Sequence, residues 1–244
     1  MLSFFEGFIQ DIPIYLLSLP VLLMAFSVHE TAHGYTALRL GDPTARNLGR
    51  LTLNPIKHID LLGFISMMLF HVGWAKPVPI NTRNFRNPRR DMAITGAAGP
   101  LSNLALALIH LIVLRVAMIF IANGVGEETV GFINAYISKL PFTGTLGYTL
   151  ISLVVYLLYL GVVMNISLAI FNLIPIPPLD GSKVLAAVLP DRLYYKVMQY
   201  EQYLYIILII MIVVGVLDGP ISIAVNFFLN LFDTITAWPF TLFI

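Results

Sequence analysis

The sequence predicts an all-α membrane protein, a polytopic helical bundle with one short membrane-associated β-hairpin and one re-entrant segment. Three observations predict it. Of 244 residues, 58% are apolar and only 11% charged, whereas about a quarter of an ordinary soluble domain is charged. Several uncharged runs reach the roughly 20 apolar residues that a helix needs to cross a hydrocarbon core. These runs are continuous rather than alternating, which argues against a barrel and leaves helices as the only spanning form.

The elements follow in order. The run Pro13 to Leu38 has no basic region before it and carries charged residues within it, so it is read as a first spanning helix and not as a cleavable signal. Gly49 and the alternating pair Leu51, Leu53 within Asn47 to Leu53 predict the hairpin. Ile59 to His71 is too short to span, about 20 Å at 1.5 Å per residue. Arg39, Arg46, Arg50 and Lys57 precede it, and Lys76, Arg83, Arg86, Arg89 and Arg90 follow it. Basic residues in short loops mark the cytoplasmic side, so both flanks sit there and the segment is re-entrant.

Ile94 to Ile121 then runs outward to a loop with Glu127 and Glu128. An interfacial helix is expected over Glu127 to Phe142, where Val130, Ile133, Ile137 and Leu140 share a face. Thr145 to Ile174 returns to Lys183, Arg192 and Lys196. Every basic residue except Arg115 and Lys139 then lies inside, and the N-terminus lies outside. Tyr203 to Leu217 and Ile221 to Ile244 complete the chain, the latter with Asn226, Asn230 and Asp233 as one polar stripe. Residues 1–244 are expected to form one membrane-embedded domain.

Some chemistries are excluded. There is no cysteine, which removes disulfides, thiolate metal sites and cysteine nucleophiles. A net charge of +1 without a basic face argues against a nucleic-acid partner.

The sharpest motif is His29-Glu30-Thr31-Ala32-His33. Residues four apart on a helix share a face, so both imidazoles can reach one tetrahedral ion. Glu30 sits about 100° round, placed to take a proton from a metal-bound water. An ionisable group deep in a bilayer costs from about 2.5 kcal/mol upward, so three in one apolar helix call for a use. Arg39 follows ten residues after His29, which sets the site roughly 15 Å below the cytoplasmic surface.

Catalytic zinc commonly takes three protein ligands, and the third has the candidates His58, Asp60, His71, Asp91, His110 and Asp180. Asp180 stands out because Pro175, Pro177 and Pro178 end the preceding helix and turn the chain back at histidine depth. The competing reading makes Asp180 a plain helix cap before Lys183. Asn165 and Asn172 share a helical face, and Asn103 lies beside the Gly99-Pro100 break. Interhelical hydrogen bonding and substrate contact are both open for Asn103 and Asn165. Asn172, at a fixed distance from Asp180, is the better oxyanion donor.

In these residues the sequence resembles the site-2 proteases, zinc metalloproteases of the membrane interior. The resemblance rests on His29-Glu30-x-x-His33, Gly99-Pro100-Leu101-Ser102-Asn103, and Asn172 eight residues before Asp180 in Leu-Asp-Gly. It covers Pro13 to Leu189, and makes about 13–189 the catalytic core, with further helices over about 201–244. The resemblance implies one Zn2+ held by His29, His33 and Asp180, Glu30 as general base, and Asn172 near substrate. Ser182 stands where many members have a second glycine, which leaves the ligands untouched. The expected activity is hydrolysis of peptide bonds in or near transmembrane segments of other proteins, in a prokaryotic plasma membrane, from a site open to the cytoplasm. The strand edge at Leu51 and Leu53, or the Lys76 to Asn81 segment, is expected to pair with the unwound substrate. A zinc transporter and a membrane-segment binder without activity are the competing readings.

Overall fold

The computed structural model describes residues 2–70, 73–125, 146–190, 193 and 199–240. Among them are eight helices: α1 (Leu2–Arg39), α2 (Thr44–Asn47), α3 (Leu61–Phe70), α4 (Pro88–Val125), α5 (Leu146–Leu173), α6 (Asp180–Val188), α7 (Glu201–Val214) and α8 (Asp218–Phe240). Four stretches, Leu16–Arg39, Pro88–Phe120, Leu150–Leu173 and Asp218–Ala237, are long and apolar enough to cross a membrane. Their outer faces carry exposed Leu101, Ile109, Phe120, Val154 and Phe227. A surface of that kind is stable against lipid and aggregates in water. The chain is a multi-pass membrane protein.

Local signals set the helix ends. α1 stops where Gly41 adopts a φ of 110° and the Asp42 N–H donates to the Ala37 carbonyl at 2.9 Å, a left-handed exit that glycine enters without strain. α4 starts with Pro88 in its first turn, where the missing N–H has no intrahelical partner to lose. Pro175, Pro177 and Pro178 end α5 and α6 begins two residues later, with a cis Pro177–Pro178 bond between them. Gly215, at φ 75°, closes α7 before α8.

α4 is the central helix, packed against α1, α5, α6 and α8. The main core joins Ala107 of α4, Val162 and Ile166 of α5, and Val225 and Phe232 of α8. A second cluster under α7 is built on Leu179, Leu208 and Leu217. Arg115 of α4, expected to reach the outer interface, pairs with Asp233 of α8.

Three expectations need correction or lie elsewhere. No β-hairpin forms at 47–53. Asn47 ends α2, and Gly49, at φ 65°, is the exit of that helix, where Gly49 N–H and Arg50 N–H return to Arg46 and Ala45 carbonyls. Leu51–Leu53 bends at Thr52, whose N–H turns back to the Arg50 carbonyl at 3.1 Å, and forms no ladder, because the Thr52 carbonyl is taken by the Thr31 hydroxyl and by His58 Nε2. The re-entrant segment expected at 59–71 is likewise not supported. The segment is one ten-residue helix, α3, and the chain returns beside it to a single antiparallel bridge between Ile59 and Ala75. Trp74 packs so closely on Gly63 that a Cβ there would overlap its carbonyl. The interfacial helix expected over 127–142 lies outside the described residues.

Candidate metal centre

α1 carries His29 and His33 one turn apart, their ring centroids 4.6 Å apart and nearly perpendicular. The proline break brings the first residue of α6, Asp180, against both. Its Oδ2 lies 3.0 Å from His29 Nε2 and 3.0 Å from His33 Nε2. All three residues are buried, at 4–5% exposure, and their ligand atoms lie within 4.8 Å of one another.

The far side of each ring fixes its tautomer. His29 Nδ1 is 2.5 Å from Asn103 Oδ1, and His33 Nδ1 is 2.6 Å from the Thr95 carbonyl. Asn103 presents its oxygen because its nitrogen donates to the Ala25 carbonyl at 3.2 Å and to Asn165 Oδ1 at 2.8 Å. Both Nδ1 atoms face acceptors, so each carries a ring proton on that side, and Nε2 is the atom left to turn toward Asp180 and to serve as a metal ligand. Two imidazole Nε2 atoms and one carboxylate oxygen therefore converge on a single point. Three electron-pair donors in a buried space repel one another unless a cation sits among them, and this donor set suits a tetrahedral divalent ion with one open position.

The wall behind the site is α4. A Cβ on Gly99 would overlap His33 Nε2 and stand 2.6 Å from His29 Nε2. One on Gly96 would meet Lys183 Cβ at 3.0 Å and the Asp180 carbonyl at 3.3 Å. The glycines let α4 approach as closely as the rings demand. Gly181 is set the same way, since its Cβ would overlap the Leu173 carbonyl. Lys183 Nζ donates to Asp180 Oδ1 at 2.8 Å, which engages one carboxylate oxygen and leaves the other toward the rings.

Glu30, half-buried, turns to the other side of α1, where its Oε2 accepts the Val78 N–H at 2.7 Å. That amide belongs to an extended stretch pinned along its length. Lys76 N–H donates to the His58 carbonyl, Arg50 to the Lys76 carbonyl, and Asn81 N–H to Asp42 Oδ2, at 2.7–2.8 Å. Leu51 and Val78 both press on Gly34, where a Cβ would come within 2.6 and 2.9 Å of them. Two non-helical pieces of chain, around Leu51 and around Val78, therefore flank the motif helix. Asp42 anchors one of them. Burial alone would raise its carboxyl, but hydrogen bonds from the Thr44 hydroxyl, the Asn84 amide and the Asn81 and Thr44 N–H groups outweigh that and hold it below its ordinary range.

The other expected site residues fall as follows. Asn103 and Asn165 are fully buried, and form a chain behind His29 that ends on the Gly161 carbonyl. Asn172 donates to the Leu168 carbonyl of its own helix at 2.9 Å. Leu53 is exposed and Leu51 partly buried. The alternative third ligands are engaged elsewhere: His58 with Thr52, Asp60 with the Gly63 N–H, Asp91 with Asn87 and Arg90, His110 with Leu106. His71 is outside the described residues. Sequence reasoning missed Thr95, Gly96, Lys183 and the Val78 amide, while Gly99 was singled out as part of the Gly99-Pro100 break. Of the missed residues only Lys183 left a readable trace, as a cation three residues after an aspartate on one helix.

The model of peptidase family M50 matches residues 17–217, which hold both histidines, the α4 glycines and Asp180. This chain belongs to peptidase family M50. That is the site-2 protease family its motifs resemble. Among curated relatives of this M50 chain, YwhC of Bacillus subtilis, provisionally named a zinc metalloprotease, is 34% identical over 192 residues, 79% of this chain and 78% of its own. Rip2 of Mycolicibacterium smegmatis, with the same provisional description, is 26% identical over 200 residues, 80% of this chain and 66% of its own. No solved structure matches.

Proposed function

We propose that this M50 member is a zinc-dependent intramembrane endopeptidase that cuts peptide bonds in or near transmembrane segments of other membrane proteins. The observation that carries this reading is the convergence of His29 Nε2, His33 Nε2 and Asp180 Oδ2 with both ring protons held on the far side. These residues would hold one zinc ion. Zinc bound there supplies Lewis acidity, acidifying a water and polarising a peptide carbonyl.

The protein's own groups do the rest. Glu30 takes the water's proton and returns it to the leaving amine, which requires its carboxylate to loosen from the Val78 N–H. Asn172 swings its amide from Leu168 to the developing oxyanion. The substrate helix must unwind before its bond is reachable. The backbone at Leu51–Leu53 or at 76–81 would be what it pairs with. Leu51→Pro or Leu53→Pro should then reduce cleavage with zinc content unchanged, and unaltered cleavage would remove this part of the proposal. The basic loops support a site that opens toward the cytoplasm, and the membrane of this proposal is a prokaryotic plasma membrane. Residues about 13–189 form the catalytic core and 201–244 an addition to it.

The test is Glu30→Gln. Zinc stays bound and cleavage of a co-expressed membrane substrate stops; a transporter or an inactive binder would keep its function in that variant.

A further inference from the structure

α8 has two faces of different character. Val225, Phe232 and Thr236 point inward and are buried, with Phe228 packed beside them on α4 and α5. The outer side carries Gly219, Ile223, Asn226, Asn230 and Asp233, all exposed. These positions are separated by four, three, four and three residues, the spacing of a heptad seam that faces another helix. The Asp218–Ala237 stretch that contains them is one of the four candidate spans.

The asparagines make the seam decisive. Among the described residues neither the Asn226 nor the Asn230 side chain has a hydrogen-bond partner, whereas the nearby Ser222 and Thr234 hydroxyls bond to their own helix. Two unsatisfied amides on a lipid-facing helix are unfavourable, because hydrocarbon offers them nothing. Asp233 is already neutralised by Arg115. At Gly219 an added Cβ would touch nothing within 4 Å, so the seam begins at an open, small residue where a second backbone can come close.

We propose that α8 is a dimerisation helix and that its partner is the α8 of a second copy of this chain. An amide both donates and accepts, so identical asparagines satisfy each other. Two copies in the same membrane orientation are related by an axis along the membrane normal, which sets their α8 helices parallel. In a parallel heptad seam like positions meet, Asn226 against Asn226 and Asn230 against Asn230. A polar residue at such a position fixes register and strand number. Asp233 is itself a seam position, and its pairing with Arg115 offsets the repulsion between the two acidic groups.

The chain's lack of cysteine makes the test clean. Ile223→Cys on the outer seam and Val225→Cys on the inner face are introduced singly into the full-length protein, reconstituted in phosphatidylcholine and phosphatidylglycerol vesicles, and oxidised mildly. The expected result is a disulfide dimer from Ile223→Cys and none from Val225→Cys. Adding Asn226→Leu and Asn230→Leu to Ile223→Cys should remove most of the cross-link, with roughly a tenfold loss of self-affinity per asparagine pair in a donor–acceptor dilution series. Leucine suits a lipid-facing position, and circular dichroism checks that the variants fold. No cross-link at Ile223→Cys, a cross-link indifferent to the leucine substitutions, or one formed to a co-reconstituted substrate helix in place of a second copy would each overturn the proposal.

Discussion

Replacing Asn103 by leucine tests how the metal centre is held from behind. The side chain keeps its volume but loses its oxygen at 2.5 Å from His29 Nδ1 and its donations to Ala25 and Asn165. A buried donor left without an acceptor costs about 1–3 kcal/mol. The metal-free protein can escape that penalty by moving the His29 proton to Nε2, where Asp180 Oδ2 accepts it at 3.0 Å. The loaded protein cannot, because Nε2 must then be bare. The penalty therefore falls on the loaded state and appears as a loss of zinc affinity of about 5- to 150-fold, which overlaps the 10- to 100-fold typical of outer-shell partners. Competition against a chromophoric chelator measures the affinity, and thermal unfolding of the apo protein measures the rest. Unchanged zinc affinity with a fully destabilised apo protein would refute the reasoning and reduce Asn103 to a packing residue.

Two further outcomes follow from neighbouring contacts. Lys183→Met frees Asp180 Oδ1 to rotate and should weaken zinc binding by about tenfold or more, with Lys183→Arg retaining most of it; equal affinities in the chelator competition would show the ion pair to be incidental. Asp42 has a folded-state pKa below its ordinary 3.8, so the stability it contributes is complete above that value and is lost as the pH falls through the depressed folded one. Thermal unfolding of Asp42→Asn between about pH 5 and 2 should accordingly show a flatter acid limb than the parent protein, and superimposable limbs would contradict this role.

Much of the centre was legible because its chemistry is local. Two histidines four apart define a face without any tertiary knowledge, and three prolines before Asp180 cannot continue a helix, so the chain must break there. What supports those ligands was legible only in part: Gly99 stood out beside Pro100, but Thr95 contributes only a carbonyl and Gly96 only the absence of a side chain. Such roles exist once α4 lies against α1. The asparagines were singled out as polar groups in apolar helices, but the direction of Asn103 toward His29 depends on which rotamer Asn165 and Ala25 permit. The hairpin failed for a different reason. Gly49 satisfies a helix exit as readily as a hairpin turn, and the alternating Leu51 and Leu53 were matched to a strand whose carbonyl hydrogen bonds go to Thr31 and His58 instead. The outer stripe of α8 was visible as spacing alone. Its exposure came only from knowing that Val225 and Phe232 are the residues that face the core.

The central claim is that His29, His33 and Asp180 together hold one catalytic zinc. X-ray absorption at the zinc edge of the loaded full-length protein tests it most directly. The account predicts scattering from two imidazoles, with light-atom ligands at about 2.0–2.2 Å, and loss of one oxygen ligand or of the metal itself in Asp180→Ala. A zinc site with fewer than two imidazoles, or one whose first shell is identical in Asp180→Ala, would contradict it.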